Sequence, residues 1–169
     1  MGTRWRRWKR WIGLAVALAV GGFLILNVMA FYHARAMMRC TAVVQRTHEP
    51  EALRLGQKLK VLCCGIKVPR PVNQQSPADF GLGYETVTFT GAHGLKVEAW
   101  HVQQTNNLGT VLLFHGYTAS KESLLPAARE FAAMGFSTLL VDFYGSGGSA
   151  GNETSVGWYE AEDVAAAWR

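Results

Sequence analysis

Residues 111–151 read VLLFHGYTASKESLLPAAREFAAMGFSTLLVDFYGSGGSAG, and this stretch decides the fold. Together with Thr110 it opens on TVLLF, a short continuous apolar run that reads as a strand buried on both faces, as in parallel sheets. The run ends in His115-Gly116-Tyr117. Ser120 then stands as an N-cap, and Leu124, Ala128 and Phe131 form the stripe of a helix over Lys121–Met134. Pro126 lies close enough to its start to be tolerated, and Gly135 sits where a C-terminal cap belongs. FSTLLVDF follows as a second buried strand, and then a glycine-rich loop.

Working outward, YETVTFT from Tyr84 alternates and is β-branched, so it reads as a strand. Gly91-Ala92-His93-Gly94 turns the chain into a second strand over Leu95–Gln103, giving a hairpin. Beyond the glycine-rich loop, Ala161, Val164, Ala165 and Trp168 form the stripe of a last helix. Glu160, Glu162 and Asp163 fall off that stripe and are expected to face solvent or the loop before it. Hairpin, strand, helix, strand, helix is an α/β order, which predicts a parallel sheet with right-handed crossovers. No internal repeat or low-complexity tract interrupts it.

The chain has 169 residues and a formal charge of +5, but Arg4, Arg6, Arg7, Lys9 and Arg10 carry that excess in a basic tail over residues 1–10. The other twelve basic residues balance the twelve acidic ones, so a phosphate-binding domain face is not supported and no nucleic-acid partner is expected. Residues 11–32, WIGLAVALAVGGFLILNVMAFY, contain no charge and are long enough for a hydrocarbon core of about 30 Å. They read as a transmembrane helix or signal anchor whose partner is the lipid bilayer. Trp5, Trp8, Trp11 and Tyr32 suit its two interfaces. Five basic residues precede the span, whereas Arg35, Arg39 and Arg46 follow it. The bias favours a single-pass protein with a cytoplasmic N-terminus and an extracytoplasmic domain. Ala34-Arg35-Ala36 resembles a cleavage site, but the length of the run favours retention.

Residues 33–83 read as a connecting region with one amphipathic helix over Glu51–Leu62, its stripe being Ala52, Leu55, Leu59 and Leu62. That helix either docks on the domain, the favoured reading, or rests on anionic lipid. Pro69, Pro71 and Pro77 mark an irregular stretch. Cys40, Cys63 and Cys64 show no metal spacing. Free thiols are the favoured reading over a disulfide from Cys40 to either of the others.

His115-Gly116-Tyr117 ends a buried strand, where ligand sites of open α/β sheets gather. Gly116 lets the chain turn so that the Tyr117 N–H can aim at an oxyanion, while a purely structural turn fits the spacing equally well. Asp142 precedes a glycine-rich loop containing Gly145, Gly147 and Ser149, and is expected to shape that loop. Gly147–Gly151 matches G-x-S-x-G, but a nucleophile elbow joins strand directly to helix and this loop does not. Gly145–Ala150 matches G-x-G-x-x-A, but the helix begins too late for a dinucleotide fingerprint. His33, His48, His93 and His101 have no metal-ligand spacing, so no metal or cofactor is expected.

These motifs together resemble the first half of the α/β-hydrolase fold. They match the serine-hydrolase branch with an H-G turn after strand three and D-x-x-G-x-G-x-S after strand four. The resemblance covers Tyr84–Arg169, and the tether followed by HARAMMR resembles membrane-bound bacterial members. It implies an oxyanion-hole N–H at Tyr117, with room made by Gly116, and a structural loop at His115, Asp142, Gly145, Gly147 and Ser149. Tyr144 stands where many relatives carry Arg. The family's serine, acid and histidine come later than these segments, in that order, so the resemblance implies a truncated domain over 84–169 that does not catalyse as given. The full-length protein is expected to take a small acyl substrate, an ester, amide or thioester. The other readings are a non-catalytic tethered module or half of a split hydrolase, and a dinucleotide-binding half-domain. Without the next strand TVLLF would be an open apolar edge, so residues 84–169 alone are expected to be poorly soluble.

Overall fold

The computed structural model describes residues 2–41 and 50–169, so Arg46 and His48 lie outside the described residues. The described chain forms two compact units, residues 2–37 with 50–66 and residues 38–41 with 67–169.

The first unit is built on α1 (Gly2–Met38), 37 residues long. No proline interrupts this run, the helix continues through the adjacent Gly21 and Gly22, and Asn27 satisfies its own amide by donating to the Phe23 carbonyl at 2.8 Å. Its large apolar side chains are exposed on all sides, from Trp5 to Met38. Within Trp5–Met38 an 18-residue stretch reaches a mean hydropathy of 2.4, and the helix is long and apolar enough to cross a membrane. The second helix, α2, runs over Leu55–Cys64 rather than Glu51–Leu62. A separate 3₁₀ turn occupies Pro50–Ala52. Arg54 is extended and starts α2 because Gln57 Oε1 accepts its N–H at 2.9 Å. Leu55, Leu59 and Leu62 are exposed.

The second unit opens on two short parallel strands, β1 (Cys40–Thr41) and β2 (Val68–Pro69). The main sheet contains β3 (Glu85–Thr90), β4 (Lys96–Val102), β5 (Thr110–Phe114) and β6 (Ser137–Asp142), in spatial order β3-β4-β6-β5. It is mixed, not wholly parallel. The hairpin enters antiparallel, β4 meets β6 antiparallel, and only β5 and β6 run parallel. Between them lies α3 (Leu125–Ala133), and α4 (Trp158–Ala167) follows β6.

Two further helical expectations need correction. The expected Lys121–Met134 helix begins as a 3₁₀ turn over Lys121–Leu124. Ser120 has the extended N-cap backbone, but its hydroxyl caps nothing: the Glu122 N–H goes to Asn73 Oδ1 at 3.4 Å and the Ser123 N–H to the Ser120 carbonyl at 3.0 Å, while the Lys121 N–H goes to Asp142 Oδ1 at 2.7 Å. Gly135 closes the helix as its position suggests. It adopts φ +87°, its N–H reaches the Ala132 carbonyl, and Phe136 N–H returns to Phe131 at 3.0 Å. In α4 the expected stripe faces outward, with Trp168 81% exposed, and the fully buried residue is Asp163.

The core lies on both faces of the sheet. Trp100, Val102 and Leu140 pack with Leu125 and Ala128 of α3, while Val97, Ala99 and Val141 pack on the other face with Ala167 of α4. Strand alternation splits Leu140 from Val141 in this way. TVLLF is only half-buried, contrary to expectation, because among the described residues only β6 pairs with it.

Residues 84–169 made alone are expected to aggregate. They keep the apolar β5 edge and lose Arg70 and Asn73, which bond the loop after β6. A dispersed, cooperatively melting monomer in sedimentation and calorimetry would contradict this.

Candidate functional site

A cleft of about 410 Å³ opens at the carboxyl ends of β5 and β6. Its walls come from the His115–Thr118 turn, from Phe143–Ser146 after β6, and from Glu153–Val164 at the start of α4, with Cys40 and Pro71 at its rim. Two non-glycine residues with left-handed backbone, Thr118 (φ 57°) and Val156 (φ 54°), both line it. Such strain gathers at functional sites, and for β-branched residues it is uncommon.

His115 is buried and bridges the two strand ends. The Phe143 N–H donates to Nε2 at 3.1 Å, so the ring proton sits on Nδ1 and is donated to the Gly116 carbonyl at 2.8 Å. Burial holds His115 below the ordinary histidine range. The Gly116 carbonyl and the nearby Asp142 and Glu160 carboxylates pull the other way without prevailing. Gly116 O also receives the Ala119 N–H at 3.3 Å. A trans peptide is planar, so a carbonyl fixed on this side directs the Tyr117 N–H to the opposite side. Tyr117 and Gly116 both line the cleft.

Asp142 ends β6 with no exposure. One oxygen accepts the Lys121 N–H, and the other accepts Lys121 Nζ at 2.7 Å, Gly148 N–H at 2.9 Å and Asn73 Nδ2 at 2.7 Å. Lys121 is itself fully buried, reaches Glu98 Oε1 at 2.8 Å, and lies 4.5 Å from the Trp100 ring centre. Burial alone would raise the Asp142 carboxyl, but the Lys121 ammonium and the converging N–H groups outweigh it and hold it below the usual range. The glycine-rich loop presses on this centre. A Cβ on Gly147 (φ +48°) would stand 1.8 Å from Asp142 Oδ2, and one on Gly148 would stand 1.7 Å from Glu98 Oε1. Gly145 (φ +83°) turns the chain where a Cβ would meet the Glu153 carbonyl.

Ser149 is buried, and both roles of its hydroxyl are used. It accepts the Glu98 N–H at 2.8 Å and donates to the Asp142 carbonyl at 2.6 Å. Arg70 straps the same loop from outside, donating to Gly151 O (3.1 Å), Gly147 O (2.9 Å) and Ser149 O (2.6 Å). The loop's arginine thus comes from position 70. At position 144 the Tyr144 ring packs on Gly151, where a Cβ would stand 2.1 Å away.

Asp163 does not face solvent. Its carboxylate accepts the Ala92 N–H at 2.8 Å and the Tyr144 N–H at 3.0 Å, joining α4 to the hairpin turn and to the cleft. Glu160 does face the preceding loop. It accepts from Thr154 Oγ1 at 2.6 Å, from the Ser155 hydroxyl and from Gly157 N–H at 2.8 Å. Burial would raise its carboxyl, but the Ser155 and Thr154 hydroxyls and the backbone donors bring it down to about 2. A depressed carboxylate adds stability above its unfolded value, and that contribution is lost as pH falls toward 2. Glu160→Gln is expected to cost about 1 kcal/mol at pH 7, a cap-sized loss for a largely solvated group. The loss should vanish near pH 2 in denaturant titrations.

The Gly116–Tyr117 peptide is thus fixed through its carbonyl by His115 and Ala119 at the wall of the cleft. Among the described residues no serine hydroxyl meets a histidine nitrogen, and no three His, Cys, Asp or Glu side chains converge as metal ligands. The glycine-rich loop does not open a helix, and Glu160 occupies the N-terminal N–H of α4, which leaves a dinucleotide phosphate no such seat. Lys121, Glu98, Arg70, Asn73 and Asp163 escaped the sequence reading, because each meets partners brought from remote segments.

The family described as acetyl xylan esterase (AXE1) matches residues 73–162. Over 73 residues the chain is 30% identical to the uncharacterized protein YqkD of Bacillus subtilis (strain 168), a match covering 43% of this chain and 24% of that protein. Among solved structures, the Pyrococcus furiosus esterase Pf2001 superposes with a TM-score of 0.53 at 28% identity, covering 59% of this chain and 40% of that one. A second crystal form of it gives 0.54. The chain therefore spans less than half the length of these relatives.

Proposed function

The chain belongs to the acetyl xylan esterase family of α/β-hydrolases, and from that premise we propose that it supplies the oxyanion-binding half of a membrane-anchored serine hydrolase acting on an acyl ester. The observation that carries this reading is the Gly116–Tyr117 peptide, held through its carbonyl by His115 at the mouth of an apolar cleft. In acyl transfer a serine attacks the ester carbonyl, and charge develops on the carbonyl oxygen. A preorganised N–H at that point stabilises the tetrahedral intermediate. Amide and thioester carbonyls develop the same charge and belong to the same class.

Residues 1–169 are proposed to hold none of the triad. Ser149 is committed to loop bonds and His115 to Phe143 and Gly116, so neither has a hydroxyl or nitrogen to spare. The helix α1 is proposed as the anchor, with the basic tail in the cytoplasm and residues 38–169 outside. The half-buried β5 edge also suits a partner chain supplying the neighbouring strand, which keeps the split-hydrolase reading alive.

An antibody to residues 84–100 tests this reading on the native polypeptide in membranes. The expected species exceeds 18.6 kDa, needs detergent for extraction, reacts with a fluorophosphonate and hydrolyses p-nitrophenyl acetate. A native species that neither reacts nor hydrolyses removes the enzyme reading. Hydrolysis by an 18.6 kDa species places the nucleophile within this chain instead. In the active polypeptide His115→Ala is expected to lower kcat by about 10- to 100-fold with KM little changed, since the donor remains but loses its orientation.

A further inference from the structure

We propose that α2 is an interfacial helix that lies on a lipid surface carrying acidic headgroups. It rests on the reading of α1 as the membrane anchor. Leu55, Leu59, Leu62 and Cys63 fall within one sector of about 100° around the helix at 3.6 residues per turn. All four are exposed, the leucines by 53–74%. The half-buried residue, Val61, lies on the opposite side.

Charge selects the occupant. The helix LGQKLKVLCC contains no acidic residue. Lys58 and Lys60 stand at the two borders of the leucine sector, where their stems cover apolar surface and their ammonium groups reach headgroups. Arg54 adds a third cation at its N-terminus. A protein groove for a leucine stripe would be expected to offer acids to both lysines, whereas an acidic lipid surface supplies them everywhere.

Position agrees with charge. Within the first unit α2 is held to the end of the apolar span: His33, one residue past that span, meets the Leu62 carbonyl at 2.7 Å. Gly65 packs so close to α1 that a Cβ would stand 2.8 Å from Ala36 Cβ. The leucine stripe is thus fixed at the level where a membrane-spanning α1 leaves the hydrocarbon.

The native cysteines allow a direct test, because Cys63 lies in the stripe and Cys64 on the far side. The full chain would be reconstituted into phosphatidylcholine vesicles with and without phosphatidylglycerol, using nitroxide lipids labelled near the headgroup. One variant, Cys40→Ser with Cys64→Ser, carries a fluorophore on Cys63. A second, Cys40→Ser with Cys63→Ser, carries it on Cys64. A third places the fluorophore in α1 by Leu18→Cys with all three native cysteines changed to Ser. The expected result is quenching at Cys63 about twofold or more above that at Cys64, stronger with phosphatidylglycerol and reduced by Lys58→Glu with Lys60→Glu. Equal, weak quenching at both cysteines with Leu18 buried among acyl chains overturns the interfacial helix and leaves the anchor standing. No lipid contact at Leu18 or Cys63 overturns both. Quenching at Cys63 indifferent to phosphatidylglycerol and to the lysine changes overturns the acidic headgroup assignment.

Discussion

Lys121→Met should lower the unfolding free energy of the second unit by about 3–5 kcal/mol at pH 7, the usual cost of orphaning a buried charge. The ammonium has no exposure and sits between the Asp142 and Glu98 carboxylates at 2.7 and 2.8 Å. Methionine matches its length but leaves the buried Asp142 carboxylate without a counter-charge and Glu98 with only Lys96, at 3.4 Å. The pH dependence follows from the Asp142 shift. Its carboxyl is held below the usual range in the fold, so its contribution is complete above the unfolded value and is lost as pH falls through the folded one. Removing Lys121 removes the largest influence holding it down, so Asp142 should take up a proton at higher pH in the variant. The deficit between the two proteins should therefore narrow on acidification. Urea titrations of the full chain in detergent, at pH 7 and pH 4, measure both. A loss under about 1 kcal/mol, independent of pH, would mean that water reaches this centre.

Asp163→Ala is expected to cost about 3 kcal/mol, because it strands the buried Ala92 N–H and the part-buried Tyr144 N–H at about 1–3 kcal/mol each. The neighbouring Glu162→Ala, on the exposed side of α4, should stay within about 0.5 kcal/mol. Hydrogen exchange gives a reading that stability alone does not. The amides of Ala92 and Tyr144 should exchange faster in Asp163→Ala than in a variant of equal stability loss, such as Leu140→Ala in the core. Asp163→Asn keeps one acceptor oxygen and should fall between. Unchanged protection at both amides would show that another group satisfies them. The same contact explains Gly91, where a Cβ would stand 2.2 Å from Asp163 Oδ1.

The strands, the α3 stop at Gly135 and the apolar helix were legible because each is a local pattern. Alternation, continuous apolarity, a capping glycine and an uncharged run all report on residues a few positions apart. The turn at His115–Tyr117 and the loop after Asp142 were legible by spacing within one strand-loop unit. The α4 stripe misled for a definite reason. Periodicity ranks faces by apolarity, but α4 turns its acid inward because Ala92 and Tyr144 bring two N–H donors from 71 and 19 residues away. Lys121 looked like an ordinary first-turn residue and is the buried counter-charge of the site, since its partners Glu98 and Asp142 lie 23 and 21 residues away on neighbouring strands.

By itself, then, the sequence determined the α/β order of elements, the long apolar helix and the position of the glycine turns, because hydrophobic period and backbone freedom act over short range. Tertiary structure alone decided which charges are buried, which face of α4 meets the sheet, and that His115 holds the Gly116 carbonyl. Those outcomes depend on donors and acceptors converging from distant segments. Burial makes each of them costly to leave unpaired, and no local pattern records the partner.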